Sequence, residues 1–249
     1  MTPSKAIAVS IADENNMKYA RMMISSLRKF HTEEELPLVL IGPEQLKATP
    51  DPLFFYRATP IIGKQFLNEG FETIIKLDAD QVITGKLNHL WENVDYDVAV
   101  VQNSNPKEAK LYPVQVWDIP SLAYVNCGMV AMRSKEFVKH WLDLCYSPHF
   151  DHYQMREQDL LNILIYYGDY KVKMLDNSNK WHGLISKGYW VKTELKDGKL
   201  ILPKNEEWPK DEDKEIVCLH WAGGNTPNKM NFNTAFREDV AKWLTKLTK

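Results

Sequence analysis

Two aspartates one residue apart, Asp78 and Asp80, close the apolar run Ile74-Ile75-Lys76-Leu77, and apolar residues resume at Val82. Carboxylates held at a strand end can bind a hard divalent cation, and such a cation can hold a diphosphate. Asp-x-Asp alone is common and is often a solvated turn. A solvated turn usually carries Gly, Pro, Asn or Ser, and none separates this run from Asp78. Side chains two apart on a strand point the same way; if the chain turns here, both can still reach one ion.

His220 is a third candidate ligand. It ends Ile216-Val217-Cys218-Leu219-His220, and Trp221-Ala222-Gly223-Gly224-Asn225-Thr226-Pro227-Asn228-Lys229 follows. A lone histidine after a strand is ordinarily a hydrogen-bonded core or surface residue. The adjacent glycines, however, let backbone approach an anion. Two carboxylates and an imidazole suit Mn²⁺, with Mg²⁺ as the alternative. Ala12-Asp13-Glu14-Asn15 can hydrogen-bond the edge of a base, or simply cap a helix. Arg156-Glu157-Gln158-Asp159 opens an amphipathic helix, where acids compensate the dipole or bind sugar hydroxyls. Asn126-Cys127-Gly128 opens a strand, its glycine marking a bulge or tight backbone contact.

An alternating series of strands and helices must position these groups. Strands are expected at Ala6 to Ala12, Leu36 to Ile41, Glu72 to Leu77, Asp97 to Val101, Gly128 to Met132 and Ile216 to Leu219. Helices are expected at Asn16 to Phe30, Ile61 to Asn68, Lys135 to Cys145 (Ser134 as N-cap), Glu157 to Tyr167 and Asn233 to Leu247, with one turn at Leu87 to Trp91. Glu44 to Arg57, with Pro50 and Pro52, reads as loop, and Asn103 to Tyr124 as a long loop. Asp197-Gly198 joins Tyr189 to Leu195 and Lys199 to Leu202 in a hairpin. The alternation implies an α/β fold with a mainly parallel central sheet and helices on both faces. Ligands of such sheets sit beyond the carboxyl ends of the strands, where Asp13, Asp78 and His220 all fall.

The chain has 249 residues and a formal net charge of -2, which suits a single domain with a large core. Lys and Arg are dispersed, so nothing points to nucleic acid. Three cysteines, none in a Cys-x-x-Cys pair, fit a reducing compartment. No signal segment precedes the first strand, and no apolar run approaches the roughly 20 residues that span a bilayer. A cytoplasmic protein is the expectation.

In this order, over residues 6 to 230, the segments resemble the family 8 glycosyltransferases of GT-A fold. Ala12-Asp13-Glu14-Asn15 is similar to that family's uridine-binding turn. Leu77-Asp78-Ala79-Asp80 with Leu87-x-x-Leu90-Trp91 matches its metal motif and the segment after it. Asn126-Cys127-Gly128-Met129 matches its Asn-x-Gly strand start. Glu157-Gln158-Asp159-Leu160-Leu161-Asn162 matches its Asp-Gln-Asp-x-Leu-Asn helix start. His220-Trp221-Ala222-Gly223 matches its His-x-x-Gly segment. The departures are Thr226 and Asn228, where the family carries Lys and Trp, and Glu157 in place of an aspartate. Lys229, three residues along from Thr226, is the candidate for the diphosphate-binding lysine. Lys64 is the candidate for the basic residue that precedes the acidic pair.

The resemblance implies one GT-A domain over 1–249, with a nucleotide-binding part over about 1–101 and a sugar- and acceptor-binding part over about 102–249. It implies a hexosyltransferase that moves a sugar from a UDP-sugar to a carbohydrate, glycolipid or glycoprotein acceptor, with retention. Asp78, Asp80 and His220 would hold Mn²⁺. Ala12, Asp13 and Asn15 would hold the base. Ala79, Cys127, Gly128, Gly223 and Lys229 would line the donor, with Asn126, Glu157 and Gln158 at its sugar. Asp159 or Gln158 would stand nearest the anomeric carbon. Same-face attack, with the leaving phosphate taking the acceptor's proton, fits better than a covalent adduct. An inverting transferase, with Asp118 or Asp159 as base, and a non-catalytic nucleotide-sugar binder are the alternatives. A nucleotidyltransferase would need a Gly-rich basic loop where Asp13-Glu14-Asn15 stands. Tyr112 to Tyr124 and Lys180 to Trp190 are aromatic-rich and suit an acceptor groove or a core cover. Peripheral membrane contact stays open, although no basic amphipathic helix argues for it.

Overall fold

The structure is a computed structural model and describes residues 5–102, 119, 124–148, 150–175, 180–184, 192–204, 206, 209, 211–221 and 230–249. Strand β1 (Ala6–Ile11), buried at every residue, is the first strand of a central sheet. Parallel to it on either side lie β2 (Leu38–Ile41) and β3 (Thr73–Leu77). A short β4 (Gln81–Ile83) leaves this sheet. β5 (Val98–Gln102), β6 (Val125–Met132) and β7 (Val172–Met174) complete it in the order β2-β1-β3-β6-β5-β7. β6 runs antiparallel to both neighbours, and the other five strands share one direction. The sheet is thus mainly parallel, as its alternation with helices implied.

Alternation along β3 distributes two apolar layers. Ile74 packs with α3 (Phe54–Glu69), α4 (Lys135–Cys145) and α5 (Glu157–Tyr167) through Ile62, Trp141 and Leu161. Ile75 and Leu77 pack on the other face with Met23 and Leu27 of α1 (Met17–Arg28). The second sheet is built on β11 (Lys214–His220), which carries antiparallel β10 (Lys199–Leu202) along its first half and β4 along its last three residues. β8 (Lys180–Leu184) pairs parallel with β11, and β9 (Glu194–Lys196) closes the hairpin with β10 through Asp197 and Gly198, both at positive φ.

Three expectations need correction. The stretch read as loop from Glu44 to Arg57 holds α2 (Pro43–Ala48) and the first turn of α3. Pro43 sits in the first helical turn, where its missing N–H costs nothing, and Gln45 Oε1 accepts from the Gly42 N–H at 3.1 Å. α3 begins at Phe54 rather than Ile61 and carries Pro60 inside it, because Ala58, Ile62 and Leu67 bury against the sheet strongly enough to tolerate the lost backbone bond. It ends as read, at Gly70 with φ 104. The closing helix is also broken, into α6 (Phe232–Ala235) and α7 (Glu238–Leu247). Extended backbone at Phe236 (φ -127, ψ 162) puts its ring 6.2 Å from Trp221, in the core of the second sheet. β4, β7 and β8 were not foreseen; the long loop from Asn103 lies outside the described residues except at Ile119 and Tyr124. Among the described residues, no helix is long and apolar enough to cross a membrane.

Candidate active site

β3 ends at Leu77, the chain turns over Ala79 and Asp80, and β4 pairs antiparallel with β11 so that Gln81 faces His220. That register delivers the histidine to the acidic turn. His220 Nε2 lies 3.2 Å from Asp80 Oδ1 and 3.4 Å from Asp78 Oδ2. Backbone bonds fix the turn: Asp78 N–H donates to Gly128 O at 2.8 Å, and Trp221 N–H to Asp80 O at 3.0 Å. Gln81 Nε2 adds a third, to Gly128 O at 3.0 Å.

The close approach explains Gly128. A Cβ there would stand 2.1 Å from His220 Cε1 and 2.6 Å from both Asp78 Oδ2 and Asn126 Oδ1. Only a residue without a side chain lets imidazole and carboxylate converge across β6. The candidate ligand atoms of Asp78, Asp80 and His220 all lie within 4.8 Å of one another. Two carboxylates and an imidazole around one point are a donor set for a divalent cation, and the residues fit the metal that the resemblance implies.

Burial alone would depress the His220 imidazolium; the Asp80 charge and hydrogen bonds to both aspartates overcome it and push its pKa to about 9. Without a metal, the charged imidazole therefore balances the acidic pair. A second cation, Lys76, comes from within the apolar strand. Its Nζ bonds Asp78 Oδ1 and donates to Cys127 O at 2.7 Å. Burial opposes both charges, yet their pairing holds the Asp78 carboxyl far below the usual range and the lysine above its own. Burial also pushes the Glu157 carboxyl up to about 7, and its Oε2 is buried with no hydrogen-bond partner.

Lys76, Asp78, Ala79, Asp80, Cys127 and Glu157 line a cavity of about 200 Å³ together with Asn16, Phe55 and Thr59; His220 is not among its lining residues. Asn16 and Phe55 also line an open cleft of about 680 Å³ that holds Asp13 and Asn15. Asp13 Oδ1 accepts from Asn16 N–H at 2.9 Å and Asn16 Nδ2 at 2.8 Å, which closes the turn before α1; the N-cap of the helix is Asn16 itself, so Asp13 does not cap it. Ala12 is buried and lines neither space.

Gln158 and Asp159 sit beside this cavity but are not among its lining residues. Asp159 Oδ1 accepts from Tyr124 OH at 2.7 Å, and its Oδ2 from Met155 N–H at 2.9 Å. Gln158 Oε1 accepts from Cys127 N–H at 3.0 Å and Asn126 Nδ2 at 3.2 Å. One turn on, Asn162 bonds both backbone groups of Val125, at 2.7 and 3.0 Å. The amides of α5 thus clamp the start of β6 and set Gly128 opposite His220. Lys64 is exposed on α3, with Asp143 of α4 in its field, and is absent from both lining sets. The basic side chain that does stand beside the acidic pair is Lys76, through its bond to Asp78. Lys76 escaped the sequence reading because it lies in an apolar strand; a lysine two residues before an acid on one strand face was the available signal. Gly223, Thr226, Lys229 and Asp118 lie outside the described residues.

No protein-family model and no curated protein matches the chain. Solved structures do. The galactosyltransferase LgtC, determined in complex with donor and acceptor sugar analogs, superposes with TM-score 0.59 at 16% identity, covering 97% of this chain and 95% of that one. The bifunctional glycosyltransferase WbbM gives TM-score 0.63 at 12% identity; it matches all of this chain, which spans 50% of WbbM. A glycosyltransferase involved in glycosylation of the major capsid of PBCV-1 gives 0.54 at 12%, covering 98% of each chain.

Proposed function

The chain has the GT-A fold, and we propose that it is a metal-dependent glycosyltransferase that moves a hexosyl group from a UDP-sugar, with retention. The observation that carries this reading is the convergence of Asp78, Asp80 and His220 behind Gly128 at the carboxyl edge of β3. When bound there, Mn²⁺ or Mg²⁺ would supply positive charge to a leaving diphosphate.

The chain's own residues account for the rest. Asp13 and Asn15, in the larger cleft, offer hydrogen-bonding groups to a base. Lys76 fixes the Asp78 carboxylate so that it needs no reorientation as charge develops nearby. Glu157, carried on the first turn of α5, faces the cavity where a donor sugar would lie. Both carboxylate oxygens of Asp159 already accept hydrogen bonds, which supports same-face attack over a covalent adduct on that residue. The three free thiols, Cys145 and Cys218 buried and Cys127 half-buried, are consistent with a cytoplasmic enzyme.

A panel of UDP-sugars incubated with the protein, with and without Mn²⁺, tests the reading by slow release of UDP. Mn²⁺-dependent hydrolysis of one donor, abolished in Asp80→Ala, supports it. UDP binding without turnover of any donor, in the presence of saccharide acceptors, would make the protein a binder instead.

A further inference from the structure

Phe55, Tyr56, Tyr146 and Met155 are exposed by 43%, 36%, 55% and 39%. Single exposed apolar residues need no explanation, but these are joined. The Phe55 and Tyr56 rings meet edge to face at 5.5 Å. The Arg156 guanidinium lies 4.8 Å over Tyr56 and 5.7 Å over buried Phe150. Arg57 lies 5.1 Å over the same Phe150 and 4.6 Å over Tyr146. A chain of ring and guanidinium contacts therefore runs from Phe55 to Tyr146, passing beneath the surface at Phe150, with Met155 adjoining Arg156.

Two features tie this surface to the candidate site. Phe55 lines both the small cavity and the larger cleft. At the other side, Arg156 immediately precedes Glu157 and adopts φ 47, ψ -118, a sparsely populated backbone region for a side-chain-bearing residue. Such strain persists only when surrounding structure requires it. Here the strained residue carries its guanidinium onto Tyr56 while the next residue enters the cavity.

The charges select the occupant. Arg57 Nη1 bonds both Asp51 oxygens at 3.0 Å, and its Nε donates to Cys145 O at 2.9 Å. Arg156 Nη1 bonds Asp151 Oδ1 at 2.5 Å. Each guanidinium is matched by a carboxylate, so neither Arg57 nor Arg156 is a spare cation for an anionic lipid headgroup. It offers apolar ring faces bordered by hydrogen-bond acceptors. A pyranose is the complement: one face of C–H groups and a rim of hydroxyls.

We propose that this surface is the acceptor subsite, which takes an uncharged pyranose of a saccharide acceptor against Tyr56 and Tyr146, with Asp151 Oδ2 accepting from a rim hydroxyl; Tyr56 lines the larger cleft, so the pyranose would lie next to the base proposed there. The proposal rests on the transferase reading above. Its test uses the full chain, fluorescently labelled and loaded with Mn²⁺ and UDP, on an array of neutral oligosaccharides. The expected result is retention by array saccharides, reduced at least tenfold in Tyr146→Ser and in Met155→Ser. Neither residue lines the donor cavity, so Mn²⁺-dependent UDP-sugar hydrolysis should persist in both variants. Hydrolysis with no saccharide retained, or with retention equal in the variants, overturns the subsite and leaves the transferase reading standing. Absence of hydrolysis and UDP binding in the unaltered chain removes both. Capture by vesicles of phosphatidylglycerol and phosphatidylcholine, lost in the same variants, would assign the surface to a membrane and overturn the proposal.

Discussion

His220 and His182 stand on adjacent parallel strands, line the same small void of about 10 Å³, and are 6% and 2% exposed. Their electrostatics are opposite. His220 meets two carboxylates and its pKa is pushed up to about 9. His182 meets another imidazole: its Nε2 lies 2.9 Å from His89 Nε2. Burial, with Lys180 and Lys173 adding to it, lowers the His89 pKa to about 4, while burial and then His89 itself hold His182 well below the ordinary value. One ring must donate and the other accept, so double protonation breaks the bond, and burial disfavours a charge on either ring. Burial is common to both histidines. What makes one a candidate ligand is the acidic turn that β4 sets beside β11.

Removing the turn's second acid breaks the contrast most severely. Asp80→Ala should cut Mn²⁺-dependent donor hydrolysis by roughly 100-fold or more, with the fold intact by circular dichroism. Gly128→Ala should come next. Its Cβ would meet His220 at 2.1 Å, so Mn²⁺ affinity should fall at least tenfold, and overpacking should cost about 1–3 kcal/mol, read by urea unfolding.

Proton linkage sharpens the comparison. His220 must be neutral to ligate, and its proton leaves only near pH 9 when no metal is bound. Mn²⁺ affinity should therefore rise about tenfold per pH unit between pH 7 and 8, and His182→Gln should leave that slope unchanged. Calorimetric titration across pH measures it; a flat profile would place the cation elsewhere.

The neutral pair makes the converse prediction for stability. The folded pKa of His89 is below its unfolded value near 6.5, so its contribution is present above that pH and is lost as pH falls through about 4. Unfolding of the metal-free protein should show this loss, worth about 2–3 kcal/mol, and His89→Gln should flatten it. Glu157 gives the smallest effect. Its pKa is raised to about 7, so stability is full below its unfolded value near 4.5 and declines as pH rises through 7. Glu157→Gln should raise stability at pH 8 by up to about 2 kcal/mol and leave it unchanged at pH 4.

Much of the fold was legible because local signals and burial agreed. Ser134 does accept from Phe137 N–H, at 3.1 Å, and α4 and α5 begin and end where their periodicity put them. α2 buries no residue, and its signals, Pro43 and the Gln45 cap, were local; two other misses share a cause, tertiary packing that overrode the local signal. Proline suggested loop at the start of α3, where core contacts sustain a helix, and Phe236 broke α7 from α6 to reach Trp221. At the site, the acidic turn and His220 were readable as types and spacing. Their convergence depends on the register of β4 with β11, which no periodicity encodes. The same is true of Gln158 and Asp159: the motif marks them, while their hydrogen bonds to β6, Tyr124 and Met155 appear only in three dimensions.

In the function proposed above, Asp78, Asp80 and His220 together would hold the cation that holds the diphosphate. Titrating Mn²⁺ into the protein in the presence of UDP, with free Mn²⁺ followed by electron paramagnetic resonance, tests it most directly. The expected result is one tightly bound Mn²⁺ per chain, lost in Asp80→Ala and in His220→Ala, and kept in His182→Gln. Mn²⁺ binding that survives both site variants, or UDP binding indifferent to Mn²⁺, would contradict the account.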